Sequence, residues 1–109
     1  MIEALLGSKN AERVLMYILA REEGYAREIA GYFETDVTPI QKQLDKLEAG
    51  GVLVSRAVGK TRPYVFNPRY PFLNELKALL EKTLLFYPAN EQEELVRNRR
   101  RPRARGKDL

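Results

Sequence analysis

Ala26-Arg27-Glu28-Ile29-Ala30-Gly31-Tyr32-Phe33-Glu34-Thr35-Asp36-Val37-Thr38-Pro39-Ile40-Gln41-Lys42-Gln43-Leu44-Asp45-Lys46-Leu47-Glu48-Ala49-Gly50-Gly51-Val52-Leu53 reads as two helices joined by a tight turn. Ala26, Ile29, Ala30 and Phe33 fall on one helical face, with Arg27 and Glu28 pointing out. Glu34-Thr35-Asp36 is the turn. The second helix runs from about Val37 to Ala49, with Asp36 or Thr38 as its N-cap. Pro39 is tolerated in either register, because first-turn amides have no intrahelical partner. Gly50-Gly51 stops it.

At 100° per residue, Ile40, Leu44 and Leu47 gather within about 60° on this helix. Thr38, Gln41, Lys42 and Asp45 lie opposite, with Lys46 beside them. Thr, Gln and Lys side chains can meet base edges or phosphates. Asp45 stands in the middle of that face as an acid among them. It can form a helix ion pair, accept from a cytosine amine, or lie clear of any ligand.

The pattern extends in both directions. Upstream, Ser8 can cap a helix whose apolar positions are Ala11, Val14, Leu15, Ile18 and Leu19, one face of an amphipathic helix. Gly24 is placed at its C-terminal turn, and Leu5 and Leu6 pack back on the core. Downstream, Val52 to Val58 is a β-branched run, Gly59-Lys60-Thr61 a turn, and Arg62 to Asn67 a second extended run. Together they predict a hairpin, with Pro63 suited to an edge strand. Arg56, Lys60, Thr61 and Arg62 cluster around its turn. Residues 38–69 hold six bases and two acids.

A long helix follows from about Phe72 to Phe86. Leu73, Leu76, Leu80 and Leu84 form one stripe, and Phe72, Leu79 and Phe86 an adjacent one. That is more apolar surface than a small domain covers by itself, so Phe72, Leu76, Leu79, Leu80 and Leu84 are expected to hold a homodimer. Pro88 ends this helix. Asn90 and Glu93 resemble a capping box, predicting a last short helix from Glu91 to Arg101 that docks weakly, with irregular chain from Pro102.

Composition narrows the function. Of the 109 residues, 44% are hydrophobic and 31% charged, and cysteine and histidine are both absent. The chain therefore has no disulfide, no thiolate or imidazole metal ligand, and no histidine base. Neither Ser8 nor Ser55 sits in a nucleophile elbow, and no glycine-rich phosphate loop occurs. The expectation is a binding module and not an enzyme, with no metal and no cofactor. The formal charge of +4 comes largely from the end: from Arg97 onward there are seven bases and one acid. No apolar run is long enough to span a bilayer. The N-terminus lacks the basic region of a signal peptide, and a cytoplasmic location is expected.

The order helix, helix, tight turn, helix, two-stranded hairpin, helix predicts a mainly α (α+β) winged helix-turn-helix with a long C-terminal dimerisation helix. Residues 1–87 form this domain and 88–109 a basic tail. Such a domain suits double-stranded DNA, with Thr38, Gln41, Lys42, Lys46, Arg56, Lys60, Thr61 and Arg62 as contacts.

The runs Ala26 to Ala30 and Val37 to Leu53 resemble the winged helix-turn-helix of ArsR-type bacterial and archaeal regulators. Ile40, Gln41, Lys42, Leu44, Leu47, Glu48 and Gly50 fill that family's places. Gly59 to Pro68, Glu75-Leu76 and Leu79 to Thr83 are similar to a subgroup linked to minimal nucleotidyltransferase domains. The resemblance covers about residues 5–86. It implies a DNA-binding transcriptional regulator, with Gln41 and Lys42 where the family presents polar DNA-contacting residues. The subgroup also suggests a protein partner, a nucleotidyltransferase, and a reading as an interaction module. Metal-sensing members use cysteine or histidine ligands; this chain has neither, so the resemblance supplies no effector.

Overall fold

In the computed structural model, which describes residues 1–96, the chain runs α1 (Glu3–Leu6), α2 (Lys9–Arg21), α3 (Ala26–Phe33), α4 (Val37–Ala49), β1 (Leu53–Ser55), β2 (Tyr64–Phe66) and α5 (Leu73–Leu85). It is helical again over 89–96. This is a winged helix-turn-helix: α3 and α4 are the helix pair and β1–β2 the wing. The predicted end of the last helix and the arginine-rich stretch lie outside the described residues.

α2 is the axis of the fold. Ser8 caps it as its sequence predicts, the hydroxyl accepting from the Ala11 amide at 3.0 Å. Of the expected face, Ala11, Val14, Leu15 and Ile18 are buried and Leu19 is half-buried, and Met16 and Tyr17 on its flanks are buried as well. A helix apolar over most of its girth is packed on several sides; α1, α3, α4, α5 and β2 all lie against α2. Leu6 packs back on this core, but Leu5 stays exposed.

Gly24 does a different job from the one predicted. The left-handed residue that ends α2 is Glu22, with φ +74°. Gly24 instead exchanges two backbone hydrogen bonds with Tyr64, at 3.1 and 2.8 Å, adding a bridge to the free side of β2. Antiparallel β1 and β2 pair Leu53 with Phe66, Val54 with Val65 and Ser55 with Tyr64. Leu53 and Tyr64 point into the core. At the tip, Val58 and Thr61 bond each other across Gly59-Lys60. Gly59 has φ +61° at the first central position of that turn, a conformation that favours glycine.

α5 corrects the expected dimer stripe. Leu80 is fully buried inside the subunit, and Leu76 and Leu84 pack on the same core. That stripe closes the chain's own interior, because its leucines face α2. Leu80 has no surface left to offer a second subunit. The adjacent stripe stays open: Phe72 and Phe86 are 61% and 66% exposed, with Leu79 half-buried between them.

The last helix also differs from expectation. The Glu91 and Gln92 amides donate to the Pro88 carbonyl, so the helix starts two residues earlier, at 89, and Asn90 lies within it, not at its cap. Leu95 is buried in the core. The Arg21 guanidinium lies over the rings of Tyr17 and Tyr32, at 4.5 and 4.6 Å from their centroids. From there it donates to the Leu95 carbonyl at 3.1 Å and the Tyr17 hydroxyl at 2.9 Å. A second tie comes from Glu12. Its buried carboxylate accepts from the amino terminus, the Ile2 amide and the Tyr87 hydroxyl. Burial, with Glu12 alongside, raises the Tyr87 phenol well above the usual tyrosine range. Among the described residues, 88–96 are thus joined to the domain by the Leu95 side chain, the Arg21 cation and the Gln92 amide, which donates to the Tyr87 carbonyl at 2.8 Å.

Candidate nucleic-acid interface

The buried face of α4 consists of Ile40 and Leu44, with Leu47 packed at its margin. This fixes which side faces out. Thr38, Lys42, Asp45 and Lys46 are exposed on it, as the helical angles predict. Gln41 is only half-exposed, because the wing reaches it.

That contact is specific. The Gln41 amide nitrogen donates to Asp45 Oδ1 at 2.9 Å and to the Tyr64 hydroxyl at 3.0 Å. The Tyr64 hydroxyl in turn faces Asp45 Oδ1 at 3.5 Å. Tyr64 is buried, and that desolvation holds its phenol above the ordinary tyrosine value. Asp45, the acid that stood out on the helical face, is therefore the partner of Gln41 one turn back and of a wing tyrosine.

A second link runs parallel to the first. Arg62 donates to Ser55 Oγ at 3.2 Å, and Ser55 donates to Glu48 Oε2 at 2.7 Å. Asn67 closes the base of the hairpin by donating to the Gly51 carbonyl at 2.9 Å. Two side-chain links thus tie the wing to α4, and a third ties it to the turn that follows the helix.

Between α4 and the wing tip lies an open groove lined by Tyr25, Arg27, Val37, Gln41, Lys60, Thr61 and Arg62, among others. Four predicted contacts meet here: Gln41, Lys60, Thr61 and Arg62. The Thr61 hydroxyl donates to the Val58 carbonyl at 3.0 Å, a bond within the turn. Arg56 is elsewhere. It lines a separate groove on the hairpin with Glu23, Val54 and Val58. Thr38, Lys42 and Lys46 stand on the exposed face of α4 outside either groove's lining.

Sequence reasoning missed Arg27 and Tyr25. The helical periodicity of α3 gives Arg27 only an outward direction. Its outward direction and its place in the first turn of α3 were the available signals; the wing tip opposite it was not visible in the sequence. The groove lining holds three cations, Arg27, Lys60 and Arg62, and no acid. Such a surface attracts a polyanion. Among the described residues no group of three or more His, Cys, Asp or Glu could hold a metal ion. No helix there is long and apolar enough to cross a membrane.

No protein-family model and no curated protein matches the chain. Solved structures do. HlyU from Vibrio cholerae in reduced form superposes with a TM-score of 0.56 at 19% identity, over 78% of this chain and 88% of that one. The transcriptional regulator BldR from Sulfolobus solfataricus gives 0.56 at 15%, over 87% and 66%. An apo mutant of ZitR from Lactococcus lactis gives 0.54 at 18%, over 82% and 76%. At such identities the likeness is one of fold.

Proposed function

We propose that this chain is a DNA-binding transcriptional regulator. α4 enters the major groove, and the wing tip lies on the flanking backbone. The observation that carries this reading is the groove in which Arg27, Lys60 and Arg62 converge beside Gln41, on a winged fold it shares with the regulator BldR. Base edges are met by Thr38, Gln41 and Lys42. Lys46 and the groove cations neutralise phosphates, and Arg56 reaches the backbone from the far side of the wing. The finer assignment to the ArsR-type regulators rests on the run Val37 to Leu53.

The working unit is a homodimer. The open stripe of Phe72, Leu79 and Phe86 supplies its contact, in place of the leucines that the subunit core consumes. A two-fold dimer matches half-sites about one helical turn apart. Selection of bound sites from random duplexes tests the reading. The expected result is an inverted repeat whose affinity falls steeply with salt. Retention that is independent of sequence and of salt overturns it.

A further inference from the structure

Gln41 is held in one polarity. A carboxylate only accepts, so the atom of Gln41 facing Asp45 must be the amide nitrogen. Its two protons are both committed, one to Asp45 and one to Tyr64. What remains for a ligand is the carbonyl oxygen, which accepts no hydrogen bond from the described residues. A free glutamine reads adenine by a bidentate pair, accepting from N6 and donating to N7. Gln41 cannot donate to N7 while Asp45 and Tyr64 hold its nitrogen.

Resting on the DNA-binding reading above, we propose that Gln41 reads its base as an acceptor only. At the contacted position the strand then carries either adenine or cytosine, the two bases that offer an exocyclic amine in the major groove. Guanine and thymine present acceptors there and are rejected. Asp45 and Tyr64 are positioning residues: they touch no base through this contact, and they set which atom of Gln41 does. Asp45 thereby broadens the recognised sequence, since removing it frees one N–H of Gln41 to complete the adenine pair. Tyr64 brings the wing into the same contact, from 23 residues along the chain.

Selection from a random duplex library with four forms of the full chain decides the matter. Gln41→Ala identifies the contacted position as the one whose preference it erases. At that position the unaltered chain is expected to hold adenine and cytosine within about threefold of each other. Asp45→Ala is expected to shift the ratio toward adenine by about tenfold, the discrimination of one bidentate pair. Asp45→Asn keeps an acceptor for Gln41 without the charge, and is expected to keep the adenine-or-cytosine preference. A tenfold shift in Asp45→Asn as well would assign the effect to charge and overturn the proposal. So would an unchanged ratio in Asp45→Ala, a strong adenine preference in the unaltered chain, or no position erased by Gln41→Ala. A chain that retains no duplex in any arm refutes the DNA reading itself, and this proposal with it.

Discussion

Gly24 lies beneath the ring of Tyr17, so closely that a Cβ on the glycine would stand 2.9 Å from two ring carbons. Tyr17 is buried against Tyr32 and Phe33, and its hydroxyl is bonded by Arg21. The ring is buried, so making room for an added carbon means repacking its neighbours. Gly24→Ala should cost about 1–3 kcal/mol, the usual penalty of overpacking. Chemical denaturation measures it. A loss below about 0.5 kcal/mol would show that the ring gives way freely.

Arg21 fastens the 89–96 helix to the domain. Arg21→Ala removes two ring contacts and the donors to Leu95 and Tyr17. Amide exchange should then quicken by about tenfold or more across 89–96, and much less in α2 and α4. Arg21→Lys retains a charge over the rings but not the planar fork, and should fall between. Uniform acceleration along the chain would mean that the last helix does not open separately.

Folding and association should separate on α5. Leu80→Ala empties a fully buried site and should cost about 2–5 kcal/mol. Phe72→Glu with Phe86→Glu alters exposed rings and should leave thermal stability nearly unchanged while converting dimers to monomers in sedimentation. If the paired change leaves a dimer intact, this stripe is not the contact.

The groove cations should act together. Arg27→Ala with Lys60→Ala is expected to lower affinity for all duplexes alike and to reduce the salt slope by about two, one per lost phosphate contact. The preferred sequence should persist. An altered preference with an unchanged slope would place these residues on bases.

Removing residues 97–109 takes away seven bases and one acid. The cut belongs after Val96, because one after Asn90 would also remove buried Leu95. Binding isotherms at several salt concentrations should show lower affinity for every duplex, with preference retained. Equal slopes with and without the segment would exclude it from the complex.

Local pattern carried a large part of this structure. Helical spacing places Ile40 and Leu44 inward and Lys42 outward, and Ser8 caps α2 as a serine before an amphipathic run should. The wing follows from a β-branched run and a second extended run about one turn. What periodicity cannot give is the identity of the neighbour. The leucines of α5 form a stripe, and only the position of α2 decides that the stripe is internal. Gly24 could not be separated from an ordinary helix-ending glycine, because its reason lies in Tyr17 and Tyr64. The tie between Gln41 and Tyr64 crosses from a helix to a strand, so the helical angle of Gln41 describes its direction but not its engagement. Arg27 needed the wing tip opposite it.

The ties that Glu12 and Arg21 of α2 make to residues 87–96 have a kinetic consequence. Glu12 and Tyr87 are separated by 75 positions, and Arg21 and the Leu95 carbonyl by 74. By contrast, α2, α3 and α4 are consecutive and pack on one another. Closing a loop of that length costs entropy that is recovered only when both partners are already in place. The three-helix centre can nucleate on near-neighbour contacts, with the chain's far end joining late. Mutations at Ile29 or Leu44 are expected to slow refolding. Changes at Glu12 or Leu95 should instead appear chiefly as faster unfolding.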